Sequence, residues 1–185
     1  LKRKNLKSNF DFLYGLTSGS TSDPKVSIWS QHVKIERGKH AKKIYNLKHT
    51  EKIIISTPMY HSISFRLIVL PVILGATCII LKKFTTKGWF ENIQKWKVSF
   101  SILVSDQVEM VSSQFKKQNM KKIRSLKKLV SCCSPLKHEI KERLVKQSNF
   151  EIFDTYGASE VGTITNINLK KEQKKIKSNG KVTLG

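Results

Sequence analysis

Acidic residues are scarce in this chain: 13 Asp and Glu stand against 35 Lys and Arg in 185 residues, a formal net charge of +22. Arginine is scarce as well, occurring only as Arg3, Arg37, Arg66, Arg124 and Arg143. Base-edge and phosphate-fork recognition favour arginine. The lysines instead run along the whole chain, in clusters at Lys2 to Lys7, Lys42-Lys43, Lys116 to Lys128 and Lys170 to Lys177, which read as solvated faces of helices and linkers. Lysine bias from an A/T-rich coding sequence is therefore the preferred account, no specific nucleic acid is expected, and a basic nucleic-acid-binding domain is the alternative. Cysteine is limited to Cys78, Cys132 and Cys133, an odd count that builds no disulfide framework and fits a reducing, cytoplasmic setting. The five histidines form no H-x-x-x-H or Cys/His array, so no structural metal site is expected.

Secretory and membrane signals are equally thin. The basic N-terminal residues precede an apolar stretch too short for a signal peptide. Ile63 to Leu81 approaches membrane-spanning length, but Arg66, Pro71 and Gly75 interrupt it. It reads better as a buried helix from about Ser62 to Leu74, ended by Gly75, followed by a short buried strand from Thr77 to Leu81; a bilayer span is the alternative. With 39% hydrophobic residues, the chain holds enough apolar material for one globular core.

What is present begins with Thr17-Ser18-Gly19-Ser20-Thr21-Ser22-Asp23-Pro24-Lys25. Hydroxyls and backbone N–H groups donate to phosphate oxygens, Gly19 permits close backbone approach, Pro24 stiffens the exit and Lys25 adds a point charge. No G-x-x-x-x-G-K-[ST] spacing occurs, so this is not a Walker A loop. A plain Ser/Thr/Gly linker is the competing reading. The flanking apolar runs Phe10 to Tyr14 and Val26 to Trp29 instead predict a structured turn between two strands.

Beyond the loop, Ser30 predicts an N-cap for a helix reaching about Leu47, with Val33, Arg37, Ala41, Ile44 and Tyr45 at near-helical spacing. Ile53 to Ile55 reads as a buried strand. Trp89, Ile93 and Trp96 mark one core-facing side of a helix, Phe100 to Val104 a strand, and Val108 to Phe115 a helix. Leu129 to Cys133 then reads as a strand, Leu136 to Val145 as a helix, Phe150 to Phe153 as a strand, and Lys170 to Ser178 as an exposed linker. Such alternation implies an α/β sheet with helices on both faces, whose ligands gather at the carboxyl ends of the strands.

The Thr17 to Lys25 segment closely resembles the phosphate-binding signature of the adenylate-forming (AMP-binding) enzyme superfamily, T-S-G-S/T-T-G-x-P-K, with Ser22 in place of the usual glycine. Three further segments follow in the family's order: Thr57-Pro58-Met59-Tyr60-His61-Ser62 resembles P-x-F/Y-H, Ser131-Cys132-Cys133-Ser134-Pro135-Leu136 resembles G-G-A-P-L, and Asp154-Thr155-Tyr156-Gly157-Ala158-Ser159-Glu160 resembles Y-G-x-T/S-E. Asn179 to Gly185 resembles the opening of the next glycine-rich segment. The resemblance covers essentially the whole chain and implies part of the family's large domain, spanning 1–185. The family's ribose-binding aspartate motif and its small C-terminal domain, with a catalytic lysine, are absent. Together with Leu1 as the first residue, this gives the expectation of an internal fragment or a truncated reading frame.

By the same resemblance, Thr17, Ser18, Gly19, Ser20, Thr21 and Lys25 hold the β- and γ-phosphates of ATP. Tyr156 stacks on adenine beside Ser134 and Gly157, Ser159 bonds the α-phosphate, and Glu160 ligates Mg²⁺. His61 borders the acyl channel, with a capping or core histidine as its alternative. Cys132 and Cys133 stand where the family usually has glycine or alanine. The implied activity is that of an acyl-CoA synthetase, joining a fatty or other carboxylic acid to CoA at the expense of ATP. A peptide-synthetase adenylation domain and a noncatalytic remnant are the alternatives.

Overall fold

The computed structural model describes residues 10–17 and 25–183. Two antiparallel strands come first, β1 (Asp11–Thr17) and β2 (Lys25–Ser30), with Thr17 registered opposite Lys25. The hydroxyl-rich loop therefore does join two strands; Ser18 to Pro24, the loop itself, lie outside the described residues. One face of this ribbon is apolar and exposed, carrying Phe12, Tyr14, Leu16, Val26 and Ile28.

Ser30 ends β2 and caps α1 (Gln31–Ile44), its Oγ accepting from the Val33 N–H at 3.3 Å. That bond satisfies one of the orphan donors of the first turn, and Lys42 and Lys43 complement the carboxyl-terminal end of the helix dipole. The helix stops before Leu47 because Asn46 turns into the left-handed region, φ 45°. After β3 (Lys52–Ile55), α2 (Ser62–Leu74) ends as expected at Gly75, φ 67°, a conformation that glycine adopts without a Cβ penalty. Next come β4 (Thr77–Ile80), α3 (Thr86–Trp96), β5 (Phe100–Val104), α4 (Ser105–Ser112) and the short α5 (Lys117–Lys122). The chain finishes with β6 (Lys128–Cys132), α6 (His138–Gln147), β7 (Glu151–Ala158), β8 (Gly162–Asn168) and β9 (Lys181–Val182).

The main sheet has the order β4-β3-β5-β6-β7-β8-β9, parallel from β4 to β7 and antiparallel beyond. Successive residues of its strands serve opposite faces, as the pleat requires. Ile54, Leu103, Leu129 and Ile152 pack with Trp89, Phe90 and Ile93 of α3, Val108 and Val111 of α4, and Ile140 and Leu144 of α6. Ile53, Ile55, Phe100, Ile102, Val130 and Phe153 pack on the other face with Tyr45 and with Ile63, Leu67, Leu70 and Leu74 of α2. The sheet is thus covered on both faces, and near-continuous apolar strands such as Ile53 to Ile55 are what double burial demands.

Two core assignments need correction. The strand after Gly75 is not buried: β4 is the sheet edge, Cys78 is exposed, and Ile80 is 54% exposed. Its apolar run cannot reveal from sequence that only one neighbour pairs with it. Trp96 is 46% exposed rather than core, because it is the last helical residue of α3 and Lys97 turns away at φ 57°. Trp89, seven positions earlier, is fully buried and donates Nε1–H to Ser101 Oγ at 3.2 Å.

Two further segments differ from expectation. Strand β7 runs to Ala158 rather than stopping near Phe153, since β8 pairs with it antiparallel through Ala158↔Gly162. Residues 170–178 are mostly exposed but tethered, with Ile176 packed against the core and the Lys170 ammonium donating to the Ser148 carbonyl at 2.5 Å. No helix among the described residues is long and apolar enough to cross a membrane.

Candidate active site

Three carboxyl ends of parallel strands carry the motif segments. After β3, Thr57 and Ser64 share a buried hydroxyl–hydroxyl hydrogen bond, and Ser64 Oγ also donates to the Thr57 carbonyl at 2.8 Å. This ties the Thr57-Pro58 turn to the first turn of α2 and sets His61 at its N-cap position. The His61 ring makes no capping bond there; it is exposed and lies 4.6 Å from the Tyr60 ring, centroid to centroid. It is neither a core nor a capping side chain.

After β6, the chain bends through Cys133 at φ 79°. Ser105, the first residue of α4, holds that bend: its Oγ lies within hydrogen-bonding range of the Cys132 carbonyl (3.3 Å), the Ser131 hydroxyl (3.3 Å) and the Ser134 carbonyl. Cys132 points inward and is buried, whereas Cys133 is exposed, with the two sulfurs 3.4 Å apart. The hydrogen bond with the neighbouring Cys133 sulfur, and then burial, push the Cys132 thiol up. Cys133 is drawn down to about 7, first by the hydrogen bond from Cys132 and then by the positive charge of Arg66.

After β7 the Ser159-Glu160-Val161 turn leads into Gly162, φ 84°. The turn is gripped from α1: Arg37 Nη1 donates to the Ser159 carbonyl at 2.8 Å, and Nη2 donates to the Glu160 carbonyl. Arg66 of α2 reaches the same region, donating to Thr163 Oγ1 at 3.4 Å. Further back, Thr155 Oγ1 bonds the buried Tyr45 hydroxyl at 3.0 Å and Asn166 Oδ1 at 2.7 Å, fixing β7 on α1 and β8.

Two adjoining clefts result. The larger, about 390 Å³, is lined among others by Lys34, Arg37, Arg66, Cys133, Gly157 and Ser159. The smaller, about 80 Å³, includes Cys133, Ser134, Asp154, Tyr156, Gly157 and Asn179. Of the predicted site residues, Gly157 and Ser159 line the first, and Ser134, Tyr156 and Gly157 the second. His61 and Glu160 line neither. Thr17 and Lys25 are paired in register at the loop end of the β1–β2 ribbon, while Ser18, Gly19, Ser20 and Thr21 lie outside the described residues.

The cationic wall of the larger cleft escaped the sequence reading. Lys34 is buried, with Nζ 4.0 Å from the Trp29 ring centroid; burial and the charges of Arg37 and Arg66 lower its pKa to about 8. Arg37 is lowered by burial and by Arg66, with Glu160 acting the other way. The available signal was Arg37 itself, a cation on the otherwise apolar stripe Val33, Ala41, Ile44. Its target 122 positions away could not be read from spacing.

In an open α/β sheet ligands bind outside the carboxyl ends of the parallel strands, where these motif turns lie. The model of the AMP-binding enzyme family matches residues 12–185, and the chain belongs to that family. It is 26% identical over 152 residues to long-chain fatty acid transport protein 6 of Homo sapiens, covering 80% of this chain and 24% of that protein. It is 24% identical over 145 residues to indoleacetate–CoA ligase of Aromatoleum aromaticum, covering 78% and 28% respectively. Its fold matches o-succinylbenzoate coenzyme A synthetase from Bacillus subtilis, solved with ATP and magnesium ion, at a TM-score of 0.85 and 18% identity, covering 96% of this chain and 37% of that one. The chain spans about a quarter of the length of the curated relatives it matches.

Proposed function

We propose that this chain is part of the large domain of an ATP-dependent acid–CoA ligase, and that its two clefts serve formation of an acyl-adenylate from a fatty or other carboxylic acid. The observation that carries the reading is convergence: Ser134, Tyr156, Gly157 and Ser159, drawn from two separate motif segments, meet at adjoining clefts that share Cys133, Thr155 and Gly157. Membership of the AMP-binding family and likeness to a fatty acid transport protein and a CoA ligase support the substrate class. Three unpaired cysteines accord with a cytoplasmic setting.

In this reading, the Thr17 to Lys25 segment, including Ser18, Gly19, Ser20 and Thr21, takes the terminal phosphates. Tyr156, 58% exposed, offers a free aromatic face to adenine. Ser159 bonds the α-phosphate and His61 acts near the carboxylate. Glu160 is an exposed carboxylate, and no group of three or more His, Cys, Asp or Glu able to hold a metal occurs among the described residues. One such carboxylate suits Mg²⁺, which takes one or two carboxylates and completes its shell with water and substrate phosphates. The ion supplies charge neutralisation at the phosphates; the chain supplies alignment for in-line attack.

The test is carboxylate-dependent ATP–pyrophosphate exchange in the polypeptide that carries this segment together with the rest of the ligase. Glu160→Gln is expected to depress exchange at saturating ATP and to shift its Mg²⁺ requirement, and His61→Ala to change mainly the acid preference. Unchanged exchange and unchanged Mg²⁺ dependence in Glu160→Gln would remove the assignment.

A further inference from the structure

We propose that Cys133 is a thiol modification site at the junction of the two clefts, where small organic disulfides form a mixed disulfide with this chain. The chemistry rests on four placements. Cys133 lines both clefts and is exposed. Its backbone is fixed in the left-handed region by the Ser105 contacts to either side, so the thiol does not retreat into the core. The buried Cys132 sulfur sits 3.4 Å away, with an S–H that can donate to it. Arg66 lines the same cleft and adds a positive charge.

The groups that bear on the Cys133 sulfur come from three elements: Cys132 at the end of β6, Arg66 on α2 and, through Cys132, Asp154 on β7. The first two favour a thiolate on Cys133. Cys132 is pushed up first by the Cys133 sulfur and by burial, and Asp154 adds to these in the same direction. Cys78 provides the contrast within the same chain. It is exposed on the edge strand β4, yet burial of its thiol raises it, and among the described residues no cation or donor acts on it.

The step is a thiol–disulfide exchange. The Cys133 thiolate attacks one sulfur of R–S–S–R; the new bond is Cys133 Sγ–S–R, the bond broken is S–S, and R–S⁻ leaves to take a proton from water. The disulfide is the oxidant and is reduced to one thiol. The adduct then projects into both clefts. The consequence for nucleotide binding rests on the proposed function; the exchange itself does not.

Oxidised glutathione and mass spectrometry test this on the 185-residue chain. Expected is a single glutathione adduct that maps to Cys133, faster than any at Cys78. Cys132→Ala removes the donor, and returning Cys133 to an ordinary thiol slows the exchange at pH 7 by roughly fivefold, after allowing for the higher nucleophilicity of the more basic thiolate. Arg66→Gln, which leaves the β6 interior untouched, is expected to slow it in the same direction. Adduct formation first at Cys78, or a rate at Cys133 indifferent to both substitutions, overturns the proposal. In the polypeptide that carries this segment together with the rest of the ligase, ATP with Mg²⁺ is expected to slow the reaction. If Cys133 reacts as stated but ATP gives no protection, the nucleotide assignment of the clefts fails while the thiol chemistry stands.

Discussion

Arg37 of α1 donates a 2.8 Å hydrogen bond to the carbonyl of Ser159, at the far end of β7. A guanidinium presents a planar fork, and here the second tine reaches the next carbonyl, that of Glu160. The turn expected to carry the phosphate and magnesium ligands is therefore set by a residue on another element. Arg37→Ala is expected to cost about 1–2 kcal/mol of stability, a typical loss for charged hydrogen bonds that are partly open to water. Its larger effect is expected on ATP binding, which should weaken more than tenfold in titration calorimetry. Arg37→Lys keeps the charge but not the fork and should recover only a small part. A lysine variant with full ATP affinity would show that charge alone, not the hold on the turn, matters.

Lys141 of α6 and Asp154 of β7 form an ion pair at 2.7 Å, with only 5% and 9% of the side chains exposed. Removing one partner strands a buried charge, which costs about 3–5 kcal/mol, whereas replacing both with apolar groups often costs little. Lys141→Met is expected to lower the urea midpoint sharply, and Lys141→Met with Asp154→Leu to regain most of the loss. If the double variant is as unstable as the sum of the singles, the pair is not acting as a coupled unit.

The sequence announces elements whose cause is local and hides those whose cause is distant. Ser30 capping α1, Gly75 ending α2 and the run Ile53 to Ile55 were legible because a cap hydroxyl, a left-handed turn and double-sided burial each leave a residue signature. Strand β8 was not. No element is assigned from sequence to Gly162-Thr163-Ile164-Thr165-Asn166-Ile167-Asn168, which is held by its pairing with β7 and by the contact of Asn166 with Thr155. The motif turns were legible by their order, but the Lys34, Arg37 and Arg66 wall was not, since two helices must pack before these cations share one cleft. Gly38 marks that packing: a β-carbon there would meet Ile73 Cδ1 of α2 at 2.2 Å.

Lys34 gives a pH prediction. Its pKa falls to about 8 in the fold, from an ordinary value of 10.5, so the native state resists its charge. Below pH 8 both states carry the proton and the full penalty applies. Between pH 8 and 10.5 the unfolded chain binds the proton that the folded chain has lost, so stability rises with pH through this window. Lys34→Met is expected to be more stable than the parent at pH 7, by about 1 kcal/mol after screening and loss of the contact with Trp29. The gap should close as pH rises from 8 towards 10. Denaturant melts of both chains at pH 7, 8.5 and 10 check it, and a gap constant across that range would mean Lys34 does not titrate as described.

Gly157 and Gly75 separate a glycine needed for close approach from one needed only for its backbone. A β-carbon on Gly157 would sit 2.1 Å from the Gly162 carbonyl oxygen and 3.0 Å from its carbon. These are backbone atoms of β8 and cannot swing aside as a side chain would. Gly157→Ala must therefore spread β7 from β8 next to the irregularity between Tyr156 and Gly157, displacing Tyr156 and Ser159 together. Expected are a stability loss of about 1–3 kcal/mol and loss of detectable ATP binding. Gly75, at φ 67°, has nothing within 4 Å of its added carbon, so Gly75→Ala pays only for the left-handed backbone, about 1–2 kcal/mol. With comparable destabilisation it should retain ATP affinity, since it lies at the far end of α2 from the clefts. Equal loss of ATP binding in both variants would trace the effect to general instability rather than to the approach of β7 and β8 at the site.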